Sequence, residues 1–460
     1  MTAPQQPSRP VSSVLPGLAW PGLPPAAGQA MLALQSQLDL TQWWTVTALA
    51  ERQFAQLRLL IAHAVVHVPH YRDHLALAGI GSAAAVTPEN FRNWPVLRKR
   101  DIQKDAARLL SAAPPPAHGE IGWTTTSGST GQPLRTAVTD AAVLMQHAAV
   151  LRSQLWYGID PAGKLAVIRM EADPPHSPGW GPPTDAVFRT GPTVRMSAFE
   201  SHDAQIDWLC RERPDYLIAH NANLAALLRK SRTTGRTPAG LRAVLGFSDM
   251  AAPGLGRLVR ETWHAGYFDT YSCAETGPLA LQCPEQGALH VQAERVLLEL
   301  LDDAGEPCGP GDAGRVVITD LHNFAMPLIR YDLGDIARFG PPCACGRGLP
   351  VLAEIAGRGG QIAVDPTGRT FFPRLNFDFW LDAAPVHQWQ VAQLAADELA
   401  VRYVAERDLT GDEAAQLAAA IRKAMRYDYR IAFQRVGTIA PTPGGKFDDF
   451  IALPQTRQPR

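Results

Sequence analysis

Apolar residues recur at helical spacing between residues 50 and 75, where Phe54, Leu57, Leu60, Ile61 and Ala64 form one stripe. The spacing predicts a helix that ends near Val68, because the residue before Pro69 is pushed out of the α region. Residues 91–101 (FRNWPVLRKRD) lead into a further helix capped by Asp101, and residues 140–154 repeat the helical period. Residues 164–170 read as a short buried strand, followed by a proline-rich loop at 173–183. Helices at 207–213 and 223–229 then flank a strand at 215–219, and a strand at 241–247, a helix to about 265 and a strand at 267–271 follow. Strand and helix alternating at this spacing argue for a parallel sheet with helices on its faces. From 294 to 340 the chain changes to β runs (296–300, 315–319, 336–339) separated by Gly, Pro and Asp turns. A small α+β unit follows from about residue 356, with strands at 388–391, 399–404 and 430–436 and a helix at 412–425. Residues 1–28, rich in Pro, Ala and Ser, read as a disordered arm.

At 460 residues the chain exceeds one typical core and calls for two or three domains. A formal net charge of −1 gives no electrostatic reason to expect nucleic acid or an anionic membrane as partner. The apolar run at 59–68 is interrupted by His63 and His67 and is far too short to span a bilayer. The first thirty residues lack a basic stretch followed by an apolar one, so the expected location is the cytoplasm. Six cysteines in so long a chain are not a disulfide framework.

The candidate chemistry begins at Trp123-Thr-Thr-Thr-Ser-Gly-Ser-Thr-Gly-Gln-Pro133, between two strand-like runs at 119–123 and 134–138. Thr126, Ser127, Gly128, Ser129, Thr130 and Gly131 offer backbone N–H groups and hydroxyls able to surround an anion. A flexible Gly/Ser linker has the same composition. In Tyr271-Ser-Cys-Ala-Glu-Thr276, Glu275 follows a strand, and ligands of open α/β sheets gather at the carboxyl ends of strands. A carboxylate there could hold Mg²⁺ against a phosphate, or be a surface glutamate. In Leu328-Ile-Arg-Tyr-Asp-Leu-Gly-Asp335, Asp335 could grip a ribose diol, or the segment could be a tight turn. Pro441-Thr-Pro-Gly-Gly-Lys-Phe447 presents Lys446 from a shaped loop, where a lysine is usually just solvated. Cys283, His290, Cys343 and Cys345 supply three thiolates and an imidazole, a closed set suited to structural Zn²⁺, with buried free cysteines as the other reading. Gly346 leaves backbone N–H groups free to approach those sulfurs; Cys210, Cys273 and Cys308 read as packing residues.

In order and spacing these segments resemble the adenylate-forming enzymes, and among them the phenylacetate–CoA ligase and coenzyme F390 synthetase-like branch. The resemblance runs from about residue 50 to 452 and includes Val68-Pro-His-Tyr71, the 91–101 segment and Gly357-Arg358 at the inter-domain hinge. It implies an α/β fold: a large N-terminal AMP-binding domain (29–356) with βαβ layers and a β-rich subdomain, plus a small mobile α+β lid domain (357–460). It also implies activation of a carboxylic acid, with an aromatic acid the leading guess, by ATP and Mg²⁺ to an acyl-adenylate, then transfer to coenzyme A. Glu275 would hold Mg²⁺, residues 126–131 the phosphates, and Asp335 the ribose; Lys446 would bridge the carboxylate and α-phosphate in adenylation only. Thr130, Ser248, Asp249, Tyr271 and Arg358 join the nucleotide site by the same resemblance, and Asn221, Asn223, Phe247 and Tyr271 are the candidate acyl pocket. Some relatives carry a similar Cys/His cluster, which favours zinc.

Two departures stand out. Gln132 occupies a position where the family usually has lysine, which predicts weaker nucleotide binding, and Gly359-Gly360-Gln361 replaces the usual hinge acid. Two alternatives stay open: transfer of the acyl group to the pantetheine of an acyl carrier protein or to another acceptor, and a non-catalytic relative that binds a nucleotide or partner. The sequence leaves oligomeric state unspecified. His220 reads as a strand-end histidine rather than a catalytic base.

Overall fold

The computed structural model describes residues 9–125, 134–170, 172–248, 251, 254–358, 363–371, 373, 384, 386–439 and 450–452. Strands Leu165–Arg169, Tyr216–His220 and Ala243–Phe247 are nearly continuous apolar runs, as strands covered on both faces require. They pair in parallel, joined by Thr193–Ser197 on one side and Gly266–Cys273 on the other. Side chains alternate between faces. Ala166, Ile168, Leu217 and Val244 pack with helices His202–Glu212, Asn221–Thr234 and Leu255–Trp263, whereas Leu165, Val167, Tyr216 and Ala243 pack with Tyr157, Ile159 and Trp180.

The β-rich region is not a separate sheet. Beyond Gly266–Cys273 the same hydrogen-bonded path continues, now antiparallel, through Gly277–Gln282, Leu289–Val291, Val351–Arg358, Tyr331–Phe339, Ala313–Asp320 and Val296–Leu301. Helix Val46–His67 covers this half, burying Phe54, Leu57, Leu60, Ile61 and Ala64 in one cluster with Val296, Val316 and Ile318. Thr45 accepts from the Ala48 N–H to start that helix, and Val68 leaves it at φ −115°, ψ 112°, as the following proline dictates.

The sheet is strongly curled. Three strands separate Gly266–Cys273 from Tyr331–Phe339 along the path, about 19 Å if flat at ~4.8 Å per step. Yet the Tyr271 hydroxyl lies 2.8 Å from Oδ2 of Asp335. Only a sheet rolled toward a barrel brings these strands together across its concave side.

Three further segments complete the frame. Ile121–Thr125 and Arg135–Thr139 form the expected antiparallel pair, and the intervening 126–133 segment lies outside the described residues. From Arg9 onward the N-terminal arm is not disordered as expected: Val11 bridges Phe188, the Ser12 N–H donates to the Val187 carbonyl, and Val11 joins the Met31–Leu151–Phe188 cluster. The contacts are confined to a few positions, and Val14, Leu15, Leu18, Trp20 and Leu23 stay exposed. In the C-terminal unit, strands Val386–Ala395, Glu398–Ala405, Arg430–Arg435 and Phe450–Ile451 form one sheet beside helix Gly411–Met425. Trp389, Val391, Val401 and Leu417 share an apolar cluster with the helices of the parallel sheet, and the Arg229 guanidinium lies 4.6 Å from the Trp389 ring centre.

Arg330, part of the expected ribose segment, serves the frame. It sits at φ +50° with its side chain 2% exposed. It donates to Glu299 at 3.1 Å, to the Arg92 carbonyl at 2.5 Å and to the Trp94 carbonyl at 2.6 Å, fastening residues 92–98 to the sheet. Burial raises Glu299 above the usual carboxylate range, although Arg330 pulls the other way. Removing the arginine would strand that carboxylate. Arg330→Met is therefore expected to cost about 3–5 kcal/mol, read as a lower urea midpoint.

Candidate active site and metal centre

Glu275 lies in the three-residue turn between strands Gly266–Cys273 and Gly277–Gln282, which pair at Cys273 and Gly277. The turn is held from two sides. Buried Arg295 donates from Nη1 to the Thr276 carbonyl at 2.6 Å and from Nη2 to the Pro278 carbonyl, while Tyr331 Oη donates to Glu275 Oε1 at 3.1 Å. Tyr331 begins the strand that carries Asp335, and Tyr271 reaches back from the Glu275 hairpin to Asp335. Two tyrosines thus cross-link the two acidic segments, Tyr331 reaching Glu275 and Tyr271 reaching Asp335. Asp332 faces elsewhere, 2.6 Å from Arg315. Burial and then the Glu275 charge push the Cys273 thiol up to about 12, so it stays a neutral packing group.

The carboxyl ends of the parallel strands lie beside the strand that leads into the Glu275 turn. Register pairs Arg169 with Ser197, and His220 with Phe247 and Phe247 with Thr270. The Phe247 ring lies 4.5 Å from the His220 ring and 4.8 Å from the Arg169 guanidinium. Ser248, next in the chain, adopts φ +75°. Asn221 and Asn223 point into the protein. Asn221 donates to Asp269 at 3.0 Å and accepts from Tyr267 at 2.8 Å; Asn223 donates to Gln205 at 2.8 Å.

At the far end of strand Gly277–Gln282 the four donor atoms of Cys283, His290, Cys343 and Cys345 lie within 4.8 Å of one another. Cys283 and Cys343 sulfurs are 3.9 Å apart, and Cys345 Sγ is 3.3 Å from His290 Nε2. A tetrahedral ion with metal–sulfur bonds of about 2.3 Å requires sulfurs roughly 3.8 Å apart, so the donor set fits zinc. His290 Nδ1 faces the Leu349 carbonyl at 3.3 Å, which leaves Nε2 for a metal, and burial lowers the imidazole's pKa toward the neutral form a ligand needs. The N–H that approaches a thiol belongs to Arg347, 3.5 Å from Cys345 Sγ; the Gly346 N–H instead donates to the Cys343 carbonyl. Burial works to raise Cys345, but its hydrogen bonds from Arg347 help bring the thiol below its ordinary value.

This loop is roofed by the N-terminal helices. Arg347 stacks 5.0 Å from Trp43 and 4.6 Å from Trp156, and bonds Gln42 and Glu285. No side chain fits at Gly348, where a Cβ would overlap the Trp44 carbonyl oxygen.

No family model matches the chain. Phenylacetate–coenzyme A ligase of Pseudomonas putida is 24% identical over 339 residues, covering 71% of this chain and 74% of that protein. The Thermus thermophilus protein of the same name is 27% identical over 321 residues, covering 66% and 69%. The structure of 2-hydroxyisobutyryl-CoA ligase in the postadenylation state superposes with a TM-score of 0.71 at 17% identity, covering 89% of this chain and 91% of that one. The chain has the fold of that ligase, and its sequence is similar to the phenylacetate–coenzyme A ligases.

In this adenylate-forming fold the structure brings Glu275, Asp335 and Tyr271 together, and Phe247 and Ser248 stand at the adjoining strand end. Arg358 is paired in the sheet with Asp335 through its backbone. Thr126, Ser127, Gly128, Ser129, Thr130, Gly131, Gln132, Asp249, Gly359–Gln361 as residues 359–361, and Lys446 lie outside the described residues. Sequence reasoning missed Arg169, Arg295 and Tyr331. Arg169 had a readable signal, a charge closing an apolar strand; the other two act only through contacts between distant segments.

Proposed function

We propose that this chain uses ATP to activate a carboxylic acid, with an aromatic acid the leading class, as an acyl-adenylate and then passes the acyl group to coenzyme A. The observation that supports this reading is the pair of tyrosine bridges that tie the Glu275 segment to the Asp335 segment, two motifs far apart in the chain. The chemistry brings an anionic carboxylate to an anionic triphosphate, so the site must offset repulsion and align the attack. Glu275, one oxygen of which accepts from Tyr331, would hold Mg²⁺, which supplies charge compensation at the phosphates. Asp335, oriented by Tyr271, would receive the ribose hydroxyls. Residues 126–131, with Thr130 at their centre, would donate to the β- and γ-phosphates. Lys446 would bring a point charge between carboxylate and α-phosphate. Structural zinc at Cys283, His290, Cys343 and Cys345 would hold the far end of the Glu275 hairpin. The likeness to phenylacetate–coenzyme A ligases over about two thirds of the chain supports the same reading.

Acid-dependent pyrophosphate release, measured over a panel of acids with and without coenzyme A, tests it. Coenzyme A consumption that tracks AMP release is expected. Acyl-adenylate that accumulates beside free coenzyme A would move the acceptor to a carrier-protein pantetheine, and no acid-dependent release at all would overturn the enzyme reading. Within it, Tyr271→Phe is expected to raise KM for ATP roughly 5- to 10-fold while kcat changes less than about twofold, because one hydrogen bond to the ribose carboxylate is lost.

A further inference from the structure

Arg169 ends the central parallel strand Leu165–Arg169 and leans across the next strand to lie over the Phe247 ring at 4.8 Å. Among the described residues no carboxylate forms an ion pair or hydrogen bond with its guanidinium, and the charged neighbour it senses is another cation, Arg195. Arg195 is itself turned to the Pro174 carbonyl and the Ser177 hydroxyl. Arg169 is exposed at the strand end, and desolvation first, then Arg195, lower its pKa. Its contact with the Phe247 ring holds the guanidinium without taking up a hydrogen-bond donor.

Its position gives this cation a use. Phe247 is in register with Thr270, one residue before the tyrosine that engages Asp335, so Arg169, whose strand is three over from that of Tyr271, lies on the same carboxyl edge. That edge is where the acid must enter for its carboxylate to meet the α-phosphate. The guanidinium fork matches a planar carboxylate in two parallel hydrogen bonds, whereas the Phe247 and His220 rings present flat walls to the body of the acid.

We propose that Arg169 recognises a second carboxylate on the acid substrate, remote from the one that is activated, so that the preferred substrates are dicarboxylic acids. The inference rests on the acid-activating reading of this cleft. It narrows the acid from a plain aromatic monoacid to one with an anion at its far end that the guanidinium fork can meet.

The test pairs each monoacid with its carboxy-substituted counterpart: benzoate with the phthalate isomers, phenylacetate with the carboxyphenylacetates, butyrate with glutarate. Pyrophosphate release and calorimetric binding are measured for the full-length protein and for Arg169→Met and Arg169→Lys. At least one diacid is expected to exceed its monoacid partner about 100-fold in kcat/KM. Arg169→Met should reverse that preference, lowering the diacid about 100-fold and raising the monoacid several-fold. Arg169→Lys, with the charge but not the fork, should fall between. Equal effects on both acids of every pair, or a rise confined to KM for ATP, would overturn the proposal and leave acid activation standing. If no acid releases pyrophosphate, the proposed function fails. Diacid binding that weakens in Arg169→Met then still supports this site, and binding equal in the two proteins overturns it.

Discussion

Lys446→Ala is expected to lower adenylation by about 100- to 1,000-fold while pre-formed acyl-adenylate is still converted to thioester. The difference between the half-reactions follows from charge. In the first, two anions converge and a cation between them is worth most in the transition state, where negative charge concentrates around the α-phosphate. In the second, a thiolate attacks the acyl carbonyl of the mixed anhydride and AMP leaves as an already stable anion, so an ammonium at the phosphate contributes less. The check measures pyrophosphate exchange for the first half-reaction and thioester formation from synthetic adenylate for the second. Equal losses in both would give the lysine a structural role instead. Glu275→Gln provides the contrast, since its proposed Mg²⁺ acts on the nucleotide itself.

Cys345→Ser should release the metal and destabilise the protein by about 4–5 kcal/mol or more, the largest stability change expected of any substitution here. The sulfur stands 3.3 Å from His290 and belongs to a set of four donors drawn from two segments more than fifty residues apart. Without the ion, three thiols and an imidazole are left crowded with no shared partner, Cys283 and His290 among them buried. Metal analysis of the purified protein should give about one equivalent of zinc, falling below half in the variant, together with a shorter half-life at elevated temperature. Unchanged stability and metal content would mean the cysteines are ordinary buried thiols.

Local pattern carried much of the architecture. The parallel strands at 165–169, 216–220 and 243–247 were readable because burial on both faces demands uninterrupted apolar runs. Thr193–Ser197 was not, since TVRMS mixes polar and apolar positions and joins the sheet at its margin beside a two-residue strand. The curl of the sheet was also invisible, because strand order and coiling are set by contacts between segments rather than within them. For the same reason Glu275 and Asp335 were legible one at a time, but the tyrosines that join them were not. Arg330 illustrates the opposite limit. It sits inside a motif suggestive of nucleotide binding, yet its guanidinium is consumed by Glu299 and two carbonyls of the 92–94 segment. Asn221 and Asn223, whose amides could have faced a ligand, are likewise taken up by Tyr267, Asp269 and Gln205.

The roof that Gln42, Trp43 and Trp44 place over the cysteine loop bears on how an ion would come and go. Arg347 and the Trp43 and Trp156 rings cover one side of a zinc seated there, whereas Cys343 and Cys345 stay partly exposed on the other. A chelator would reach the ion from that open side, so metal removal should quicken as chelator concentration rises.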